Sequence, residues 1–148
     1  MKLTSSALNI LVIASLILAA SSWVSAQEDF SRTARKKLLE AARPFTNQGY
    51  RLMGEPYISH LGQEATERID IQTTKGVSSY VVVSVCDEYC TDIDLALVKG
   101  EGEPVDAGRK DRSIVTVTPR TTAPINLRLT MTECSEEPCY YGLGVFVK

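Results

Sequence analysis

Residues Ser79–Lys99 read SYVVVSVC, then DEYC, then TDIDLALVK. An apolar run, a short acidic turn and a second stretch in which apolar and polar side chains alternate read as two β-strands joined at a hairpin. Cys86 and Cys90 bracket that turn. The end of the chain repeats the pattern. Ile125, Leu127, Leu129 and Met131 alternate with Asn126, Arg128, Thr130 and Thr132; Cys134 and Cys139 bracket a second turn, and Tyr140–Val147 follows as another strand. Val81, Val83 and Val85 point one way in a strand so apolar on both faces that it is expected at the centre of a sheet.

The N-terminus sets the compartment. Lys2 is the only charge before Glu28, Ala7–Ala20 is almost wholly apolar, and Val24-Ser25-Ala26 is a small-residue cleavage site. That is the pattern of a secretory signal peptide over residues 1–26, giving a periplasmic or secreted chain that begins at Gln27. The apolar run is broken by Asn9 and Ser15 and is shorter than the roughly 20 residues of a membrane span, so no stable membrane insertion is expected after cleavage. An exported chain with four cysteines is expected to hold two disulfides. The spacings, with three and four residues between the cysteines, also differ from the usual zinc pair, although a four-thiolate zinc site is the alternative. Local pairing, Cys86 with Cys90 and Cys134 with Cys139, is the simpler arrangement. Cross-pairing stays open if the two turns share an end of the domain.

Between the leader and the strands, residues 28–43 are expected to form a helix. Phe30, Ala34, Leu38, Ala41 or Ala42, and Phe45 recur at helical spacing; Asp29 is a candidate N-cap, and Pro44 is expected to stop the helix at Arg43. The opposite face carries Arg32, Arg35, Lys36, Lys37 and Arg43. It reads as the solvated side of a helix packed on a sheet, with binding to anionic lipid or an acidic partner as the other reading. The domain organisation is then a leader (1–26), a helix and linker (27–48) and a β-domain (49–148).

The remaining strands follow at short, regular spacing. Tyr50–Met53 starts a strand that Gly54-Glu55-Pro56 interrupts and Tyr57–Leu61 continues, the proline confining it to an edge. Ala65–Thr73 places Ile69 and Ile71 on one face, Lys75-Gly76 is a turn, and Ser113–Thr118 places Val115 and Val117 inward. Gly100–Pro104 reads as a turn by composition. Val105–Ala107 reads as a short strand, which would bring both cysteine turns to the same end. The whole is expected to be an antiparallel β-sandwich preceded by one helix.

Several of these strands carry a family likeness. Tyr80–Val85, Asp92–Leu97, Val115–Pro119, Ile125–Leu129 and Tyr141–Val145 together resemble the bacterial pre-peptidase C-terminal domain, over about Gly49–Lys148. The D-x-D-L step and the final Y-x-L-x-V strand are the most recognisable marks. The resemblance implies a mainly β, jelly-roll-like sandwich of the kind found beside secreted enzymes. It points to small exported relatives that carry two cysteine turns and no attached catalytic domain.

Functional candidates are few. Without Lys2 the basic residues number 15 against 18 acidic ones, which argues against a nucleic-acid partner. His60 is the single histidine, with no nucleophile that sequence can associate with it, so no catalytic residue is assigned. Cys86-Asp87-Glu88-Tyr89-Cys90 is not a thioredoxin-type motif: the spacing is longer, and two acids would raise a thiol pKa. Asp87, Glu88, Asp92 and Asp94 surround the first turn, with Glu133, Glu136 and Glu137 at the second. Gathered at one end they could offer calcium the oxygen ligands it needs, with Asp87, Asp92, Asp94 and Glu133 as ligands; the resemblance encourages that expectation, and no other cofactor is expected. The expected function is a non-enzymatic binding or accessory module for an unknown protein, polysaccharide or envelope component. A partner-specific inhibitor or chaperone in the periplasm is the alternative. Exposed aromatics, Tyr140 and Tyr141 among them, would favour a sugar.

Overall fold

The computed structural model describes residues 25, 27–98, 102–104 and 110–148. The leader apart from Ser25, the start of the Gly100–Pro104 turn and the short strand expected at Val105–Ala107 lie outside the described residues. Helix α1 covers residues 27–41, and a single further turn, α2, covers Arg43–Thr46. Asp29 therefore sits inside α1 rather than capping it. Pro44 does not end the helical path either. It lies in the first turn of α2, where its missing N–H is not needed, and the chain bends at Ala42.

The strands are β1 (Arg51–Leu52), β2 (Tyr57–Leu61), β3 (Thr66–Ile71), β4 (Tyr80–Cys86), β5 (Cys90–Leu97), β6 (Gly102–Pro104), β7 (Arg112–Val117), β8 (Ile125–Cys134) and β9 (Cys139–Val147). All pairings are antiparallel. One sheet runs β1–β9–β4–β7–β6, with β2 continuing β1 along the same edge of β9; the other runs β3–β8–β5. The break between β1 and β2 falls at residues 53–56, where Gly54 takes a positive φ of 72° and Pro56 needs no ladder partner.

The order β2–β9–β4–β7 over β3–β8–β5 makes an antiparallel, sandwich-like arrangement, and β6 extends the edge of the larger sheet beside β7. The expected turn at Gly100–Pro104 is corrected here: Gly102–Pro104 is extended and pairs with β7, Gly102 opposite Val117. It supplies the returning passage that brings both cysteine turns to one end, where Cys90 lies opposite Cys134. The edge of β5 that β6 leaves open is closed another way. Ile93 N donates to Lys110 O at 2.9 Å and Leu95 N to Ser113 Oγ at 3.1 Å, so these edge donors are satisfied within the chain.

The core fills the space between the sheets. Leu127, Leu129 and Met131 of β8 meet Tyr80 and Val82 of β4, with Val115 and Val117 of β7 beside them, as the period-two patterns require. The other face of β4 is equally buried. Val81, Val83 and Val85 pack with Ile114 and Phe146 under Leu38, Ala41 and Ala42 of the helical segment. The molecule thus has three layers, with α1 lying on the outer face of the larger sheet.

A glycine lets the helix lie that close: a Cβ at Gly142 would stand 3.1 Å from the Ala34 Cβ. Ala34 has no rotamer with which to retreat, so a larger residue at 142 must lift the helix. Gly142→Val is expected to destabilise the protein by about 1–3 kcal/mol, an ordinary overpacking cost, read as a lower urea midpoint; an unchanged midpoint would refute this account of the helix seat.

Where β2 and β3 form the open side of the sandwich, Glu67 joins the sheets. One oxygen accepts from the Tyr141 hydroxyl and the other from the Tyr57 hydroxyl at 2.9 Å. Burial, then the bond to Glu67 and its charge, push the Tyr141 phenol far above its ordinary value. A phenol whose pKa is raised by folding keeps its proton in the native state above pH 10, where the unfolded chain loses it. This contribution is complete below about pH 10 and falls as pH rises further, by up to about 1.4 kcal/mol per pH unit. Between pH 9 and pH 11 the native protein should lose more stability than Tyr141→Phe; parallel losses would contradict the assignment.

Candidate functional site

Both cysteine turns close locally. Cys86 bonds Cys90 and Cys134 bonds Cys139, with Cα separations of 5.8 and 5.9 Å, and no described cysteine is free. Each loop is short, so each bridge contributes about 2 kcal/mol through the unfolded chain. Their larger effect is to hold turn shape at the end of the sandwich.

Asp87 joins the two turns. Its Oδ1 accepts from Tyr89 N and Cys90 N, both at 3.1 Å, which folds the first turn around the carboxylate. Its Oδ2 accepts from Tyr140 N at 2.8 Å, and its own N–H donates to Tyr140 O at 3.0 Å, tying that turn to the start of β9. A second link runs from Ser135, whose N–H and hydroxyl both donate to Tyr89 O. The second turn is anchored in the other direction, where Gln63 N donates to a Glu137 oxygen at 2.6 Å.

Beside this clasp α1 and the two turns enclose a groove of about 630 Å³. Its floor is aromatic: Phe30 and Tyr140 are only 7 % and 9 % exposed, with ring centroids 6.3 Å apart, and Tyr89 projects above them at 39 %. Its rim is acidic, with Asp29 from α1, Glu88 from the first turn, and Glu136 and Glu137 from the second. The charges of Glu88 and then of Glu136 push the Tyr89 phenol above its ordinary value. Among the described residues Lys37 is the one cationic side chain lining the groove. Its Nζ donates to Cys86 O at 3.0 Å and stands 5.9 Å from the centre of the Phe30 ring.

The residues expected as calcium ligands are placed apart from one another in role. Asp87 is engaged by three backbone N–H groups. Asp92 faces Lys110 at 3.6 Å, Asp94 accepts from Thr132 Oγ1, and Glu133 accepts from Thr91 Oγ1 at 2.8 Å. Among the described residues no three His, Cys, Asp or Glu side chains are grouped to hold a metal ion. His60 is exposed on β2, its ring 5.6 Å from that of Tyr140. Tyr140 and Tyr141 are buried, so neither offers the exposed ring a sugar would stack on.

On the far side of α1, Arg32, Arg35 and Lys36 are exposed, as is Arg43 at the start of α2, whereas Lys37, expected on the same solvated face, is half-buried with its Nζ donating to Cys86 O. Three of them have acidic neighbours: Arg35 meets Glu55 at 3.0 Å, Arg32 meets Asp29 at 3.7 Å, and Lys36 meets Glu40 at 4.0 Å. Exposed pairs of this kind contribute little to stability.

No family model and no curated protein matches this chain. Phe30 was legible as a core position of the helix, and Tyr89 only as a turn residue. Their meeting across the groove depends on where α1 lies, which no local spacing reports. Asp87→Asn places an amide N–H₂ against a backbone donor that the carboxylate now accepts. It should cost about 1–3 kcal/mol, seen as a fall in melting temperature with both disulfides intact; a variant as stable as the native chain would show that Asp87 is not the clasp.

Proposed function

We propose that this chain is a small, non-enzymatic binding module of the periplasm or extracellular space, related to the pre-peptidase C-terminal domain, and that its ligand seat is the groove between α1 and the two disulfide-closed turns. The groove itself carries the reading. It has the volume of a ligand site, within the roughly 300–1,000 Å³ such sites span, and an aromatic floor under a polar rim. Its walls are held in place by two disulfides and the Asp87 clasp, so little order has to be created on binding. Export is supported by the leader pattern and by the disulfides, which persist in oxidising compartments. Among the described residues no helix is long and apolar enough to cross a membrane.

The test is a comparison of the disulfide-bonded chain from Gln27 onward with its Tyr89→Ser variant on peptide and glycan arrays. The Tyr89 ring projects from the turn, so the variant should melt with the native protein. The native chain is expected to bind a discrete set of array features that the variant loses. Binding to the same features by both chains, or to none by the native chain, would overturn the reading.

A further inference from the structure

We infer that the groove takes a cationic peptide segment of a partner protein, one in which lysine or arginine alternates with apolar side chains. The inference rests on the groove being the ligand seat, and it goes further by naming the chemistry of the occupant. Five carboxylates line the groove against one ammonium, so a net charge of −4 gathers there in a chain whose total from Gln27 onward is −3. The rest of the molecule is close to neutral, and the field that a charged partner meets is centred on this end.

The arrangement of those charges selects the class of partner. Asp87 and Glu137 already accept backbone N–H groups, and Asp29 faces Arg32, whereas Glu88 and Glu136 line the groove with Tyr89 from two different turns. Carboxylates on separate segments match positive charges repeated along a chain better than one compact cation. Between them Tyr89 offers an exposed ring face that a lysine or guanidinium group can cover, and Phe30 and Tyr140 offer an apolar floor for intervening side chains. Lys37 is held by Cys86 O at the groove wall and does not bridge the two glutamates. A polysaccharide would want flat exposed rings and neutral donors, and an anionic ligand would meet the carboxylates directly.

Amide spectra of the ¹⁵N-labelled, disulfide-bonded chain test this with four probes: an octapeptide alternating lysine and phenylalanine, its glutamate–phenylalanine counterpart, spermine, and a neutral oligosaccharide mixture. The lysine–phenylalanine peptide is expected to shift amides of residues 29–37, 87–90 and 136–140. Its affinity should fall about tenfold or more in Glu88→Lys/Glu136→Lys, and should weaken severalfold as salt rises from about 50 to 300 mM. The same two-charge reversal on the outer face of the smaller sheet, Asp70→Lys/Asp94→Lys, should change it far less. Equal weakening by both double variants, or a spermine response as strong as the peptide's, would reduce the effect to unspecific charge attraction and overturn the inference. Shifts in the groove caused by the acidic peptide or the oligosaccharides, with none from the basic peptide, would overturn the occupant but keep the seat. Absence of shifts in the groove with every probe would overturn both.

Discussion

The close approach of α1 to the larger sheet is the constraint on which the grooved end of this protein depends. Strand β4 is buried on both faces, and a strand in that position needs a cover on the side away from the second sheet. The cover is α1, and β9 admits it closely where Gly142 faces Ala34. A side chain at 142 would lift the helix, on whose seat the contact of Phe30 with Tyr140 depends.

Rigidity at that end comes from polar groups rather than from bulk. The two disulfides shape their own turns, but each spans too short a loop to hold the turns together. Asp87 does that, by accepting three backbone N–H groups from both sides. A carboxylate so used is a framework element of the two turns. Other carboxylates line the groove beside Tyr89, Glu88 from the first turn and Glu136 from the second.

The same separation of roles runs through the helix. One stripe of α1 is a core element, its outward face is a basic surface with acidic neighbours, and its first turns form a groove wall. Because the net negative charge of the chain gathers on the other side of that groove, the molecule is strongly asymmetric in charge despite a nearly balanced composition. Overall charge argued only against nucleic acid; the distribution of charge argues for a kind of partner.

Much of the architecture was legible in the residues taken in order. Strict alternation from Ile125 to Met131, the valine run of β4 and the helical spacing of Phe30, Ala34 and Leu38 report local periods, and a period is a property of neighbouring residues. The cysteine pairs were legible for the same reason, being four and five residues apart. What only the tertiary structure decided involves partners far apart in the chain. The identity of the returning strand as Gly102–Pro104, the bond from Asp87 to Tyr140 and the seat of Ala34 against Gly142 all join segments with no shared local pattern. The groove belongs to this second group. Its floor and rim come from α1 and two turns more than 40 residues apart, and only the packing of a helix on a sheet brings them to one place.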